Sequence, residues 1–205
     1  MNKKVLNLSI ALCAGVLLIF GIYKTLHQKP LVVLPYYGVE GHVIGDFEFI
    51  DQTGNKVTPS IFKDKIYVTD YFFTTCKTIC PIMKTSMKGI YDKFSNNNDV
   101  MFLSHTVDPE TDSVEVLAQY ALSLGIDNNK WKFVTGNKKE LYDAARNYYL
   151  LNAEKGDGGP DDFIHTQNFA LIDKEKKIRG FYDGTDSVQM KKLIVDIDVL
   201  LNEYR

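Results

Sequence analysis

The chain has 205 residues, 45% of them apolar and 24% charged, with 24 Lys+Arg against 26 Asp+Glu for a formal net charge of −2. Such a composition excludes a disordered, collagenous or disulfide-rich miniprotein, and without excess basic charge no nucleic acid partner is expected. The length, with 12 Phe and 12 Tyr, suits one domain with a real core plus an appendage.

The appendage is N-terminal. Val5 to Tyr23 carry no charge and are bracketed by Lys3 and Lys4 on one side and by Lys24, His27 and Lys29 on the other. As a helix this run spans roughly 28 Å, the hydrocarbon thickness of a bilayer. A cleaved signal peptide is the competing reading, but its apolar stretch is shorter and ends at a small-residue cleavage site, and no such site follows Phe20. Cys13 follows the large Leu12 and sits inside the apolar run, which argues against a lipoprotein signal and for an inert membrane residue. The leading lysines orient the span, and only Arg146, Arg179 and Arg205 occur in the chain, too few for a mitochondrial presequence. The expectation is a cytoplasmic stub (1–4), a transmembrane anchor (5–23), a tether (24–41) and a folded domain (42–205). The compartment expected is a bacterial inner membrane, with the domain facing the periplasm.

The tether is marked by Pro30, Pro35, Gly38 and Gly41. Asp46 to Val57 reads as a β-hairpin turning at Gln52 to Asn55, and Ile66 to Phe73 reads as a buried strand. Met83, Met87, Ile90, Tyr91 and Phe94 share one face of a helix that starts near Pro81. Val100 to Ser104 is the next strand, and Asp112 and Ser113 can cap a helix that stops at Gly125. Trp131 to Val134 is a strand, Lys138 to Tyr149 a helix, and Asn152 to Asp162 a Gly-rich loop. Thr166 to Ile172 and Lys177 to Tyr182 form a second hairpin, and Ser187 to Leu201 closes the chain as an amphipathic helix. This order predicts an α/β fold: a mixed sheet covered by helices on both faces, compatible with a thioredoxin-like layer.

Cys76 and Cys80 are the sharpest chemical feature, because a strand end leads through Cys-Lys-Thr-Ile-Cys-Pro into a helix. Cysteines four apart at a helix start can form a disulfide or converge on one ion, and the helix N-terminus favours their thiolates. Three readings stay open: a stabilising disulfide, a redox dithiol, and a metal site. His165, where the Gly-rich loop enters a strand, would complete two thiolates and an imidazole, a soft three-coordinate set suited to Cu(I). His105, just after a strand, reads as a satisfied edge histidine or supporting partner, and His42 and His27 as solvated. Met83 and Met87 read as core, and Asp108, Glu110 and Asp112 as an acidic turn ending a strand and capping a helix. No phosphate-binding Gly loop, Ser nucleophile elbow or convincing carboxylate pair is present. A peroxidase of the peroxiredoxin type would need Thr three residues before its cysteine, where this chain has Phe73 or Lys77.

In this arrangement the chain resembles the Sco/SenC family of membrane-anchored, thioredoxin-fold proteins that assemble the copper centre of cytochrome c oxidase. The resemblance covers roughly His42 to Arg205. It rests on Tyr71-Phe72-Phe73-Thr74-Thr75-Cys76 leading to Cys80-Pro81, on Val107-Asp108-Pro109-Glu110-Thr111-Asp112, and on Phe163-Ile164-His165 preceding Asn168-Phe169-Ala170-Leu171-Ile172-Asp173. It implies that Cys76, Cys80 and His165 are the copper-binding set, that the recipient is a copper-receiving subunit of cytochrome c oxidase, and that a thiol–disulfide reductant serves the cysteines. The alternative is a thiol–disulfide oxidoreductase, with Cys76 attacking, that reduces a partner's cysteines. Two positions depart from the family pattern. Lys77 and Thr78 stand where many members have Pro and Asp, and Lys77 is expected to favour thiolates. Ile164 stands where many have Asp, which removes a neighbour that orients the imidazole and leaves Asp161 and Asp162 as substitutes.

Overall fold

The computed structural model describes residues 15–23, 33–126, 130–151, 159 and 162–205. Residues 15–23 are helical, and among the described residues no helix is long and apolar enough to cross a membrane. The first part of the expected span, 5–14, lies outside the described residues, as does most of the Gly-rich loop.

From Leu34 onward the chain forms one compact unit. It contains β1 (Phe49–Asp51), β2 (Lys56–Val57), β3 (Ile66–Phe72), α1 (Cys80–Phe94), β4 (Val100–Thr106), α2 (Val114–Ser123) and β5 (Trp131–Thr135). Then follow α3 (Lys138–Asp143), a π turn (Ala144–Tyr148), β6 (Asn168–Ile172), β7 (Ile178–Asp183) and α4 (Ser187–Glu203). The strands make one mixed sheet in the order β2-β1-β5-β4-β3-β6-β7. Its centre is parallel, β3 with β4 and β4 with β5, and both hairpins join antiparallel at the edges.

All seven residues of β3 are buried, because the strand is covered on both faces. Side chains then sort with period two. Ile66, Val68 and Phe72 enter one core with α1, α2 and α4, while Tyr67 and Tyr71 enter a second. The expected helical face of α1 is the buried one, and Met83 and Met87 are core residues at 1% and 0% exposure. Each such apolar side chain stabilises the fold by ~1.5–3 kcal/mol.

Three expectations need correction. The second face is covered by the short α3, its π turn, the 3-10 turn Pro59–Phe62 and irregular segments through Ile44 and Ile164, rather than by long α-helices. The helix expected over Lys138 to Tyr149 changes to a π turn at Ala144. The tether ends before residue 41, since Leu34 is buried and Tyr37 bridges to Ile178. Arg179 is the physical reason: its guanidinium donates to the carbonyls of Leu34 and Pro35 as well as to Asp173 and Glu203.

Candidate functional site

β3 and β4 run parallel and end together, so the chain leaving β3 turns over the carboxyl edge of the sheet, where open α/β sheets carry their ligands. Asp112 fixes that turn. Its buried carboxylate accepts from the Thr74 amide (3.2 Å), the Thr74 hydroxyl and the Thr106 hydroxyl (2.5 Å). Of the two caps the sequence offers, Asp112 and Ser113, it is Ser113 that caps the helix, accepting from the Val116 amide.

The next turn closes with the Cys76 amide on the Phe73 carbonyl (3.3 Å), and α1 begins at Cys80. Cys76 therefore lies in the turn ahead of the helix, not on its first turn. No side chain caps α1 at Ile79, and the exposed amides at a helix start need acceptors. The Cys76 sulfur serves as one. Partial burial pushes its pKa up, but hydrogen bonds from the Cys80 thiol, the Thr78 and Cys80 amides and the Thr78 hydroxyl outweigh that and hold it below the usual thiol value. Cys80 is the opposite case: burial first, then its bond to Cys76, pushes its thiol up to about 12. The pair is reduced in this structure.

Behind Cys80 is a group that sequence reasoning missed. Asp70 is 4% exposed on the middle of β3 and accepts from the Ser104 hydroxyl at 2.5 Å. Burial pushes its pKa up to about 7. With Cys80, Lys84, Ser104 and Tyr120 it lines a cavity of about 10 Å³, close to the room one water occupies. The signal was a lone carboxylate inside an apolar strand run, which needs a reason to be there.

His165 is exposed, after the buried Ile164. Its ring packs on Phe163 (4.8 Å between centroids), and Phe163 packs edge-on against Phe73 (5.4 Å), the residue that starts the cysteine turn. The structure thus brings Cys76 and Cys80 together and links His165 to them through two aromatic rings. Among the described residues no three His, Cys, Asp or Glu side chains are grouped to hold a metal ion. The Asp162 carboxylate takes a two-pronged bond from Arg146 at 2.6 and 2.9 Å. Asp161 lies outside the described residues.

The remaining histidines differ from expectation. His105 lies on β4 rather than beyond it and is fully buried, with Nδ1 near the Thr69 hydroxyl (3.2 Å) and Nε2 without a hydrogen-bond partner. Burial lowers its pKa to about 3. His42 is not solvated in a tether but bonds the Tyr148 carbonyl at 2.9 Å, while His27 is outside the described residues. A concavity of about 830 Å³ is lined by Phe47, Phe62 and Tyr148 with Lys63, Lys174 and Lys176, and includes neither cysteine nor His165.

With this geometry in hand, the family model described as SCO1/SenC matches residues 37–201. The chain belongs to the SCO1/SenC family. Among the relatives of this SCO1/SenC chain, the SCO1 protein homolog of Bacillus subtilis is 30% identical over 153 residues, 74% of this chain and 79% of the relative. The structure of BsSco, described as a member of the Sco family of cytochrome c oxidase assembly proteins with a disulfide switch, is 27% identical with a TM-score of 0.66, covering 80% of this chain and 96% of that one. Arabidopsis thaliana ScoI, solved with copper bound, shares the fold at 24% identity and a TM-score of 0.59, over 76% of this chain and 98% of that one. The SCO1/SenC fold is thioredoxin-like, as the element order implied.

Proposed function

We propose that this protein carries copper as Cu(I) and passes it to the copper centre of cytochrome c oxidase. Copper is cargo here, held by the Cys76 and Cys80 thiolates with His165 as the third donor, and passed on by ligand exchange. The observation that carries the reading is the pair of free thiols, Cys76 in the turn after β3 and Cys80 at the first position of α1, in a chain of the SCO1/SenC family. Thiolates are soft donors that suit Cu(I), and imidazole is also a copper ligand. In the same reading residues 5–23 anchor the chain in a bacterial inner membrane and the domain faces the periplasm.

A second reading is favoured by the inequality of the two thiols. A lowered Cys76 beside a raised Cys80 suits attack by Cys76 on a partner's disulfide, followed by Cys80 resolving the mixed disulfide. The protein would then keep the recipient's cysteines reduced, drawing electrons from a separate thiol reductant.

The test is Cu(I) titration of the reduced full-length chain against a competing chelator. One tight equivalent is expected, abolished in Cys76→Ser/Cys80→Ser and weakened at least tenfold in His165→Ala. Wild type that fails to compete for Cu(I) would overturn copper carriage and move the function to disulfide chemistry.

A further inference from the structure

Only three of the 24 basic side chains other than histidine are arginines. Arg179 is buried and spends its guanidinium on Asp173, Glu203 and two backbone carbonyls. Arg146 is the second arginine in the protein's interior. Lys132 is buried too, as a point charge on Asp51 at 2.7 Å, whereas arginine supplies a planar fork that can match both oxygens of a carboxylate.

Arg146 lies in the π turn, an insertion that re-aims the side chains of a helix and is common at functional sites. Its side chain is 11% exposed and that of Asp162 is 9% exposed. Nη1 donates to Oδ2 at 2.9 Å and Nη2 to Oδ1 at 2.6 Å, a closed two-pronged pair. The guanidinium also stacks over the Tyr142 ring at 5.6 Å, and the Tyr142 hydroxyl donates to the Val107 carbonyl at 2.7 Å, on the edge of the sheet where the cysteine turn stands. The fork is thus braced against the rim of the site.

What it holds is the approach to His165. The run Asp162-Phe163-Ile164-His165 is fixed at its first three positions: Asp162 by Arg146, Phe163 by Phe73, and Ile164 by burial at 3% exposure. Only the imidazole at the end stands in solvent. We propose that Arg146 is the positioning residue for His165, acting through Asp162 to fix where the imidazole stands and thereby its share in holding copper. A carboxylate bonded directly to the imidazole is the commoner way to orient a metal-binding histidine. Ile164 precludes that at the adjacent position, and the fork places the backbone instead of the ring. The inference rests on the copper reading and adds a residue to it.

The test is a double-mutant cycle on the reduced full-length chain, with Cu(I) competition against bicinchoninate as the readout. Because removing Arg146 alone takes the facing cation from a buried carboxylate, both charges are neutralised together in Arg146→Gln/Asp162→Asn. Circular dichroism establishes that each variant is folded. The paired variant is expected to weaken Cu(I) binding at least fivefold in the wild-type background and by less than twofold in the His165→Ala background. The Cu(II)-loaded paired variant should also lose the imidazole nitrogen hyperfine splitting in its electron paramagnetic resonance spectrum. Arg146→Lys, which keeps the charge and loses the fork, should fall between. Wild-type affinity in the paired variant overturns the proposal, as does the same fold-loss with and without His165, which marks a purely structural pair. Unchanged affinity in His165→Ala itself overturns the histidine's ligand role and this proposal with it, a result distinct from failure of the fork alone.

Discussion

The two faces of the β3–β4 ladder each bury an ionisable side chain at the same level, since Asp70 pairs with Ser104 and Tyr71 with His105 in the strand register. On the cysteine face Asp70 has a hydroxyl partner and a small cavity beside it. On the other face His105 is boxed by the rings of Tyr71, Tyr149 and Phe49 at 4.6, 5.1 and 5.5 Å, with one ring nitrogen unpartnered. Burial favours the neutral form of both side chains and so moves their pKa values in opposite directions, to about 7 and about 3. The lesson is that burial alone does not describe either site: Asp70 keeps a hydroxyl partner and a small cavity shared with Cys80, whereas His105 is closed in by rings.

The largest expected effect is in the pH dependence of stability. Between about pH 4 and 7 the folded chain holds the Asp70 proton that the unfolded chain has lost, so this group makes stability fall as pH rises, by on the order of 4 kcal/mol. Between about pH 3 and 6.5 the unfolded chain holds a proton that folded His105 lacks, so this group makes stability rise with pH, by a similar amount. In the wild type the two slopes oppose each other over pH 4 to 6.5. Urea unfolding should therefore show Asp70→Asn gaining stability with pH across that window and His105→Phe losing it. Parallel curves for the two variants would break the comparison.

A smaller effect tests how the two faces satisfy their polar groups. Ser104 donates to Asp70 and accepts from the Trp131 indole at 2.9 Å, so Ser104→Ala orphans two buried groups and should cost about 2 kcal/mol in chemical denaturation. On the aromatic face the Tyr67 and Tyr149 hydroxyls meet at only 3.5 Å, and Tyr149→Phe should cost less than about 1 kcal/mol. The smallest change is local: Ser113→Ala should lower stability by about 1 kcal/mol through loss of the α2 cap, leaving both pH slopes intact.

Much of this was legible in the sequence. The apolar face of α1 through Met83, Met87 and Phe94, both hairpins and the closing helix follow from periodicities that packing did not override. Cys76 and Cys80 announce themselves by spacing and by the strand before them. Asp70 did not, because a pattern that averages hydrophobicity over a strand absorbs one carboxylate. His105 sat one residue past the expected strand end, and a strand two residues longer turns an edge histidine into a core one. The Arg146–Asp162 fork bridges 16 positions and depends on a π turn that 3.6-residue periodicity cannot register.

The Arg179 guanidinium has five N–H donors, and its five hydrogen bonds reach the Leu34 and Pro35 carbonyls, Asp173 and both oxygens of Glu203. Tyr36 lies over the same cation at 4.4 Å. The point where the chain enters the domain is therefore a mechanical fitting, like the strain relief on a cable. Tension drawn along the chain from residues before Leu34 loads this clamp at β7 and the end of α4, sparing the β3 edge that presents the cysteines.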